Sequence, residues 1–122
     1  MKRVLKLTGL FALLSALLLA AGVAGTWKGA FEFNGASMPL TLSLKTSGDA
    51  VTGTVEGLPT PVVEIHDGKL QGDVITFWVT TDYRGVAYKL VYKGTLSGDQ
   101  IQFAFGTDNG SWGAQVTVKR SS

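Results

Sequence analysis

The chain has 122 residues, a formal net charge of +2 and no cysteine. That length makes one small domain, and the lack of cysteine excludes a disulfide framework, a lipid-anchoring thiol and a thiolate metal site. Three of the cations, Lys2, Arg3 and Lys6, stand together at the start, and without them the balance turns slightly negative, which leaves no basic footprint for nucleic acid.

Those basic residues precede an apolar run from Leu10 to Leu19 and then small residues from Ala20 to Gly25. The order predicts a secretory signal peptide over residues 1–24, cleaved near Ala24, with Gly22 and Ala24 in the positions a signal peptidase reads. The apolar run is also near the lower limit for a membrane span, the alternative reading of the same segment. The expectation is an exported protein, secreted or periplasmic, with one domain over residues 25–122 and no membrane span after cleavage.

Beyond the leader no stretch shows a helical period. Three segments, SGDAVTGTV from Ser47, QGDVITFWV from Gln71 and SGDQIQFAF from Ser97, each put Gly-Asp ahead of an alternating strand. Gly-Asp suits a two-residue hairpin loop because glycine takes positive φ freely, so the repeating unit is a hairpin. The pattern predicts eight strands, at 26–33, 38–47, 50–56, 62–71, 74–81, 86–97, 100–106 and 112–120.

Register tests this, since a two-residue turn fixes which residues face each other and a one-residue slip would turn the pattern inside out. A turn at Asn34-Gly35 sets Phe31 against Met38, and one at Gly48-Asp49 sets Leu42 against Val55. Arg84-Gly85 sets Phe77 against Tyr92 and Val79 against Leu90. Gly98-Asp99 sets Gly94 against Phe103, and Asn109-Gly110 sets Phe103 against Val116. Apolar residues meet on one face each time. The exception is VVEIHDGKL, where Val63 and Ile65 are out of phase with Leu70, and a bulge at Asp67-Gly68 would absorb the shift.

A single sheet of this size with one apolar face curls upon itself, and closure removes its exposed edges. The fold class expected is therefore all-β: an eight-stranded antiparallel up-and-down barrel. Its outward phase holds Lys28, Glu32, Lys45, Lys89, Lys93, Gln102 and Lys119, the reverse of what a transmembrane barrel requires.

Trp27 falls on the inward phase of the first strand, and Arg120 comes inward at the same end of the last. A guanidinium over an indole contributes about 0.5 to 2 kcal/mol, and together the two would plug that end. Gly25-Thr26-Trp27 with Arg120 resembles the lipocalins and their wider calycin group, which includes the fatty-acid-binding proteins and avidins. The resemblance implies a barrel that binds a small apolar molecule at the end away from the tryptophan. TDYR at Thr81 echoes a second lipocalin motif, but the register puts it at the opposite end from the one that family uses, and nothing is carried over from it.

The mouth so implied has as candidate lining Phe33, Met38, Leu58, Thr81, Tyr83 and Arg84, with Tyr88, Thr107 and Trp112, and Tyr92 deeper. The function expected is binding of a small apolar or amphipathic ligand there. The alternative is a packed barrel acting through its surface as an interaction or inhibitor module. For that alternative Trp78, the one large aromatic in the outward phase, lies beside Val91 and marks a homodimer or partner contact. Catalysis is not expected. Glu64 and His66 share a strand face, but one imidazole and one carboxylate make an incomplete zinc site, and no nucleophile elbow exists for serine chemistry. No cofactor is implied.

Overall fold

The computed structural model describes residues 22–58 and 61–121. The leader expected from the sequence lies outside these residues except for Gly22, Val23 and Ala24. The described chain forms β1 (Gly25–Phe33), β2 (Ala36–Ser47), β3 (Ala50–Glu56), β4 (Val62–Glu64), β5 (His66–Gln71), β6 (Val74–Tyr83), β7 (Val86–Ser97), β8 (Gln100–Thr107) and β9 (Gly113–Arg120). Neighbours in sequence are neighbours in space throughout. The sheet runs β2-β1-β9-β8-β7-β6-β5-β3, and β2 pairs with β3 to close it. The short β4 and β5 are two halves of one barrel strand interrupted at Ile65, so the architecture is an eight-stranded antiparallel meander barrel.

Turn chemistry differs between the two ends. At Gly48, Gly72 and Gly98 the glycine has φ of 63°, 62° and 61°, and the aspartate after it returns to negative φ. That is the type II′ form, with glycine at the first central position. At the other end Asn34-Gly35 and Arg84-Gly85 carry positive φ at both central residues, 53° and 79°, then 54° and 80°, the type I′ form. Both types match the right-handed twist of paired strands. The register therefore falls where the alternation requires: Phe31 opposite Met38, Leu42 opposite Val55, Phe77 opposite Tyr92 and Gly94 opposite Phe103.

The fourth strand carries the expected irregularity. Pairing with β6 shifts between His66 and Lys69, and Asp67 sits at φ 52°, a left-handed conformation that aspartate tolerates better than most residues. The bulge restores Leu70 to the partly buried side while turning the Asp67 carboxylate across the outer surface, where its Oδ2 accepts a hydrogen bond from Trp78 Nε1 at 2.8 Å. The last turn is looser than the sequence suggests. Phe105 does pair with Ala114, but the loop closes one step earlier, with Thr107 N donating to the Trp112 carbonyl at 3.0 Å.

The inward phase makes one continuous core. Trp27, Leu42, Ile75, Val79, Tyr92, Ile101 and Val118 are essentially inaccessible. Phe77, Tyr92 and Phe105 stack in a row across β6, β7 and β8, with centroids 4.7 Å and 4.6 Å apart, and Phe103 meets Tyr92 edge-on. The Phe103 ring occupies the room left at Gly94. A Cβ there would stand 2.6 Å from the ring, so this glycine admits an aromatic neighbour rather than opening the lumen.

One end of the barrel is sealed. Trp27 is fully buried, its Nε1 donates to the Val23 carbonyl at 3.0 Å, and the Arg120 guanidinium lies over its ring, 4.3 Å from the centroid. Arg120 in turn donates to the carbonyls of Ala24 and Gly22 and pairs with Asp99 at 3.4 Å. Val23 is itself fully buried in the core. The tryptophan and arginine thus tie the segment before β1 across the barrel end, which leaves the opposite end to be open.

Candidate functional site

The opposite end holds the two type I′ turns and a cavity of about 440 Å³. Its geometry follows from period-two alternation near the strand ends. On the β1–β2 hairpin the inward residues above Trp27 and Leu40 are Phe31, Phe33 and Met38, and all three line the cavity. On the β6–β7 hairpin the corresponding inward residues are Thr81, Tyr83, Tyr88 and Leu90. Leu58 enters from the connection after β3, Thr107 from the end of β8, and Ser111 and Trp112 from the connection between β8 and β9.

The aromatic residues hold one another edge-on. Phe33 meets Tyr83 with centroids 5.7 Å apart and Trp112 at the same distance. Phe31 meets Phe105 at 5.2 Å, and Phe105 meets Trp112 at 5.6 Å. Such edge-to-face pairs contribute about 0.5 to 1.5 kcal/mol each beyond area burial, so the lining is a braced wall. Trp112 is positioned by its backbone. Its N–H donates to Thr107 Oγ1 at 3.0 Å, and that hydroxyl lies 3.0 Å from Ser111 Oγ. Asn109 Oδ1 accepts from Ser111 N and completes the loop.

Of the residues expected at the mouth from sequence, all but Arg84 and Tyr92 line the cavity. Arg84 occupies the turn itself and is exposed, with its guanidinium 5.3 Å from the Tyr83 ring centroid. Tyr92 lies in the stacked layer beneath. Its hydroxyl is buried without a hydrogen-bond partner among the described residues, and burial pushes its ionisation well above the ordinary tyrosine range. Phe31, Leu90 and Ser111 line the cavity without having been expected. Phe31 and Leu90 lie in phase with predicted neighbours, so the alternation already pointed to them. Ser111 depends on how the β8–β9 loop folds, which no periodicity encodes.

The outer-face residues form a separate group. His66 stacks on Trp78 with centroids 4.3 Å apart, and Lys89 Nζ lies 4.5 Å from the Trp78 centroid from the β7 side. With its N–H bonded to Asp67, Trp78 is engaged on its edge and by a neighbour on either side. Val91, its cross-strand partner, is 43% exposed. Among the described residues, no three potential metal ligands come together.

The cavity is thus a half-open cup, braced by aromatic rings and lined by uncharged side chains, at the end of a barrel whose other end is plugged by Trp27 and Arg120. Compared with protein-family models and with curated proteins, the sequence matches none.

Proposed function

We propose that the protein is an exported, calycin-type barrel that binds a small apolar or amphipathic molecule in the cup at its open end. The observation that carries this reading is the cavity of about 440 Å³ walled by Phe31, Phe33, Met38, Leu58 and Trp112. Ligand sites run from about 300 to 1,000 Å³ and are mostly apolar, with a few polar groups. Eight strands give an interior that side chains can fill or that holds one small ligand, and here the fill stops at the Phe77–Tyr92–Phe105 layer.

Energetics favour an occupant. An enclosed apolar void costs about 24 cal/mol per Å³, so the half-open cup holds either water or a ligand. Water in such a cup finds few partners along its β1–β2 side, and an apolar molecule displaces it at little cost. The pairing of Trp27 with Arg120 at the sealed end supports the calycin reading, and the basic-then-apolar leader supports export. No reaction is assigned to the site.

The three tryptophans make the test direct, because they sit in three different places: Trp27 in the plug, Trp78 on the outer face and Trp112 in the cup wall. Titration with retinoids, aromatic hydrocarbons and acyl-chain compounds is expected to give a saturable change in tryptophan emission. That change should vanish in Trp112→Phe and weaken in Tyr88→Ala. The reading falls if no compound produces a saturable change and protein purified from its own host carries no small molecule by native mass spectrometry.

A further inference from the structure

The barrel is built from two similar halves, and their differences are concentrated at the cup. The β1–β2 hairpin and the β6–β7 hairpin share a type I′ turn with nearly identical dihedral angles, at Asn34-Gly35 and Arg84-Gly85, and each is followed by a Gly-Asp turn, at Gly48 and Gly98. Leu40 and Leu90 hold equivalent, buried places. Above them the halves part. Where the first has the cross-strand pair Phe31 and Met38, the second has Thr81 and Tyr88, and Phe33 corresponds to Tyr83. Each of the three positions gains a hydroxyl.

Barrel order makes these hydroxyl-bearing residues neighbours. β6, β7 and β8 are adjacent, and the end of β8 and the loop after it add Thr107 and Ser111 to the same arc. The facing arc, from β1, β2 and the connection after β3, supplies Phe31, Phe33, Met38 and Leu58. Among the described residues, no aspartate, glutamate, lysine, arginine or histidine lines the cavity. The two cations adjacent in sequence to this wall sit outside it, Arg84 against Tyr83 and Lys89 against Trp78.

We infer that the cup selects an electrically neutral amphiphile, one with an apolar body against the β1–β2 wall and an uncharged hydroxyl, carbonyl or amide group against the hydroxyl arc of β6–β8. This rests on the reading of the cup as a ligand site and narrows its substrate class. A neutral polar group can exchange hydrogen bonds with the tyrosine hydroxyls of that arc, which both donate and accept, while Thr107 Oγ1 is already engaged by Trp112 N. A carboxylate has to shed its water without a cation to receive it, and burying an unpaired charge costs far more than burying a satisfied hydroxyl.

The test compares 1-octanol, octanoate and octane at neutral pH, read by Trp112 emission and by displacement of a bound fluorescent probe. Octanol is expected to bind about ten-fold or more tightly than octanoate, and more tightly than octane. Tyr83→Phe with Tyr88→Phe is expected to remove the advantage of octanol over octane while leaving octane binding unchanged. Octanoate binding as tightly as octanol would overturn the inference and leave the ligand site standing. Octane binding as tightly as octanol would also overturn it, by showing that the hydroxyl arc holds no polar group. Binding of none of the three, with none of the retinoids or aromatics either, would remove the ligand site as well.

Discussion

At the scale of single residues, Tyr92 is the most informative position. Its ring is held between Phe77 and Phe105, yet its hydroxyl is buried without a partner among the described residues. Leaving a buried hydroxyl unsatisfied costs about 1 to 3 kcal/mol, so Tyr92→Phe is expected to raise stability by about that amount in urea unfolding. A destabilised Tyr92→Phe would mean that water or a ligand satisfies the hydroxyl. The same group sets an alkaline limit. Burial raises its ionisation in the folded state, while in the unfolded chain it ionises at about pH 10. Below about pH 10 the phenol is neutral in both states and stability is unaffected. Above it only the unfolded chain loses the proton, so stability falls by about 1.4 kcal/mol per pH unit. Tyr92→Phe should abolish this component of the alkaline decline. Arg84 invites a different substitution. It holds a left-handed φ of 54°, which disfavours a long side chain, and the equivalent turn uses Asn34. Arg84→Asn is expected to gain a few tenths to about 1 kcal/mol, and to leave ligand affinity unchanged because the side chain lies outside the cup.

At the scale of elements, the hairpins explain why so much of the fold was readable. Gly-Asp and Asn-Gly turns fix pairing within one residue, and a slip would send Phe77, Tyr92 and Phe103 to the outer surface, so pattern and turn chemistry specify the same register. Two features escaped. The β8–β9 loop closes at Thr107 and Trp112 because the Thr107 hydroxyl binds Trp112 N, a side-chain contact that alternation cannot report. The purpose of the bulge was equally hidden. The phase shift between Ile65 and Leu70 revealed that a residue was inserted, but not that Asp67 would reach across to Trp78. Trp78, exposed by phase alone, is instead clasped by Asp67, His66 and Lys89. This clasp pins the interrupted strand β5 to β6 where the ladder is broken. Asp67→Ala is therefore expected to cost about 1 kcal/mol, to speed amide exchange in β5 selectively, and to alter Trp78 emission. Uniform exchange across the barrel would show that the bulge holds without the carboxylate.

At the scale of the whole molecule, much of the cup lining follows from the alternation, because Phe31, Phe33, Met38, Thr81, Tyr83, Tyr88 and Leu90 are inward residues near the strand ends, while Leu58, Ser111 and Trp112 come from connections. The alternation could not show that the lumen remains open above Phe105, since volume depends on how the rings turn against one another. Gly94 adds nothing to that volume, because the Phe103 ring fills the room beside it. The sealed end shows a further consequence of closure. The alternation begins at Thr26, yet the barrel recruits Val23 as a fully buried core residue, and the Trp27 indole and the Arg120 guanidinium take their acceptors from Gly22, Val23 and Ala24. A chain that starts at Gly25, where cleavage after Ala24 would leave it, loses all of these. Burying a valine side chain contributes about 1.5 to 3 kcal/mol, and Trp27 and Arg120 would be left to water. A chain starting at Gly25 is thus expected to be less stable than one starting at Gly22 by about 2 kcal/mol or more, a fall in Tm on the order of 10 °C for a domain of this size. Trp27→Ala should cost about 3 to 5 kcal/mol in the longer chain and distinctly less in the shorter, because the two changes dismantle the same plug and neighbouring sites do not add. Equal stability of the two chains, or full additivity with Trp27→Ala, would show that the segment before β1 merely lies against the barrel and that Trp27 and Arg120 seal it alone.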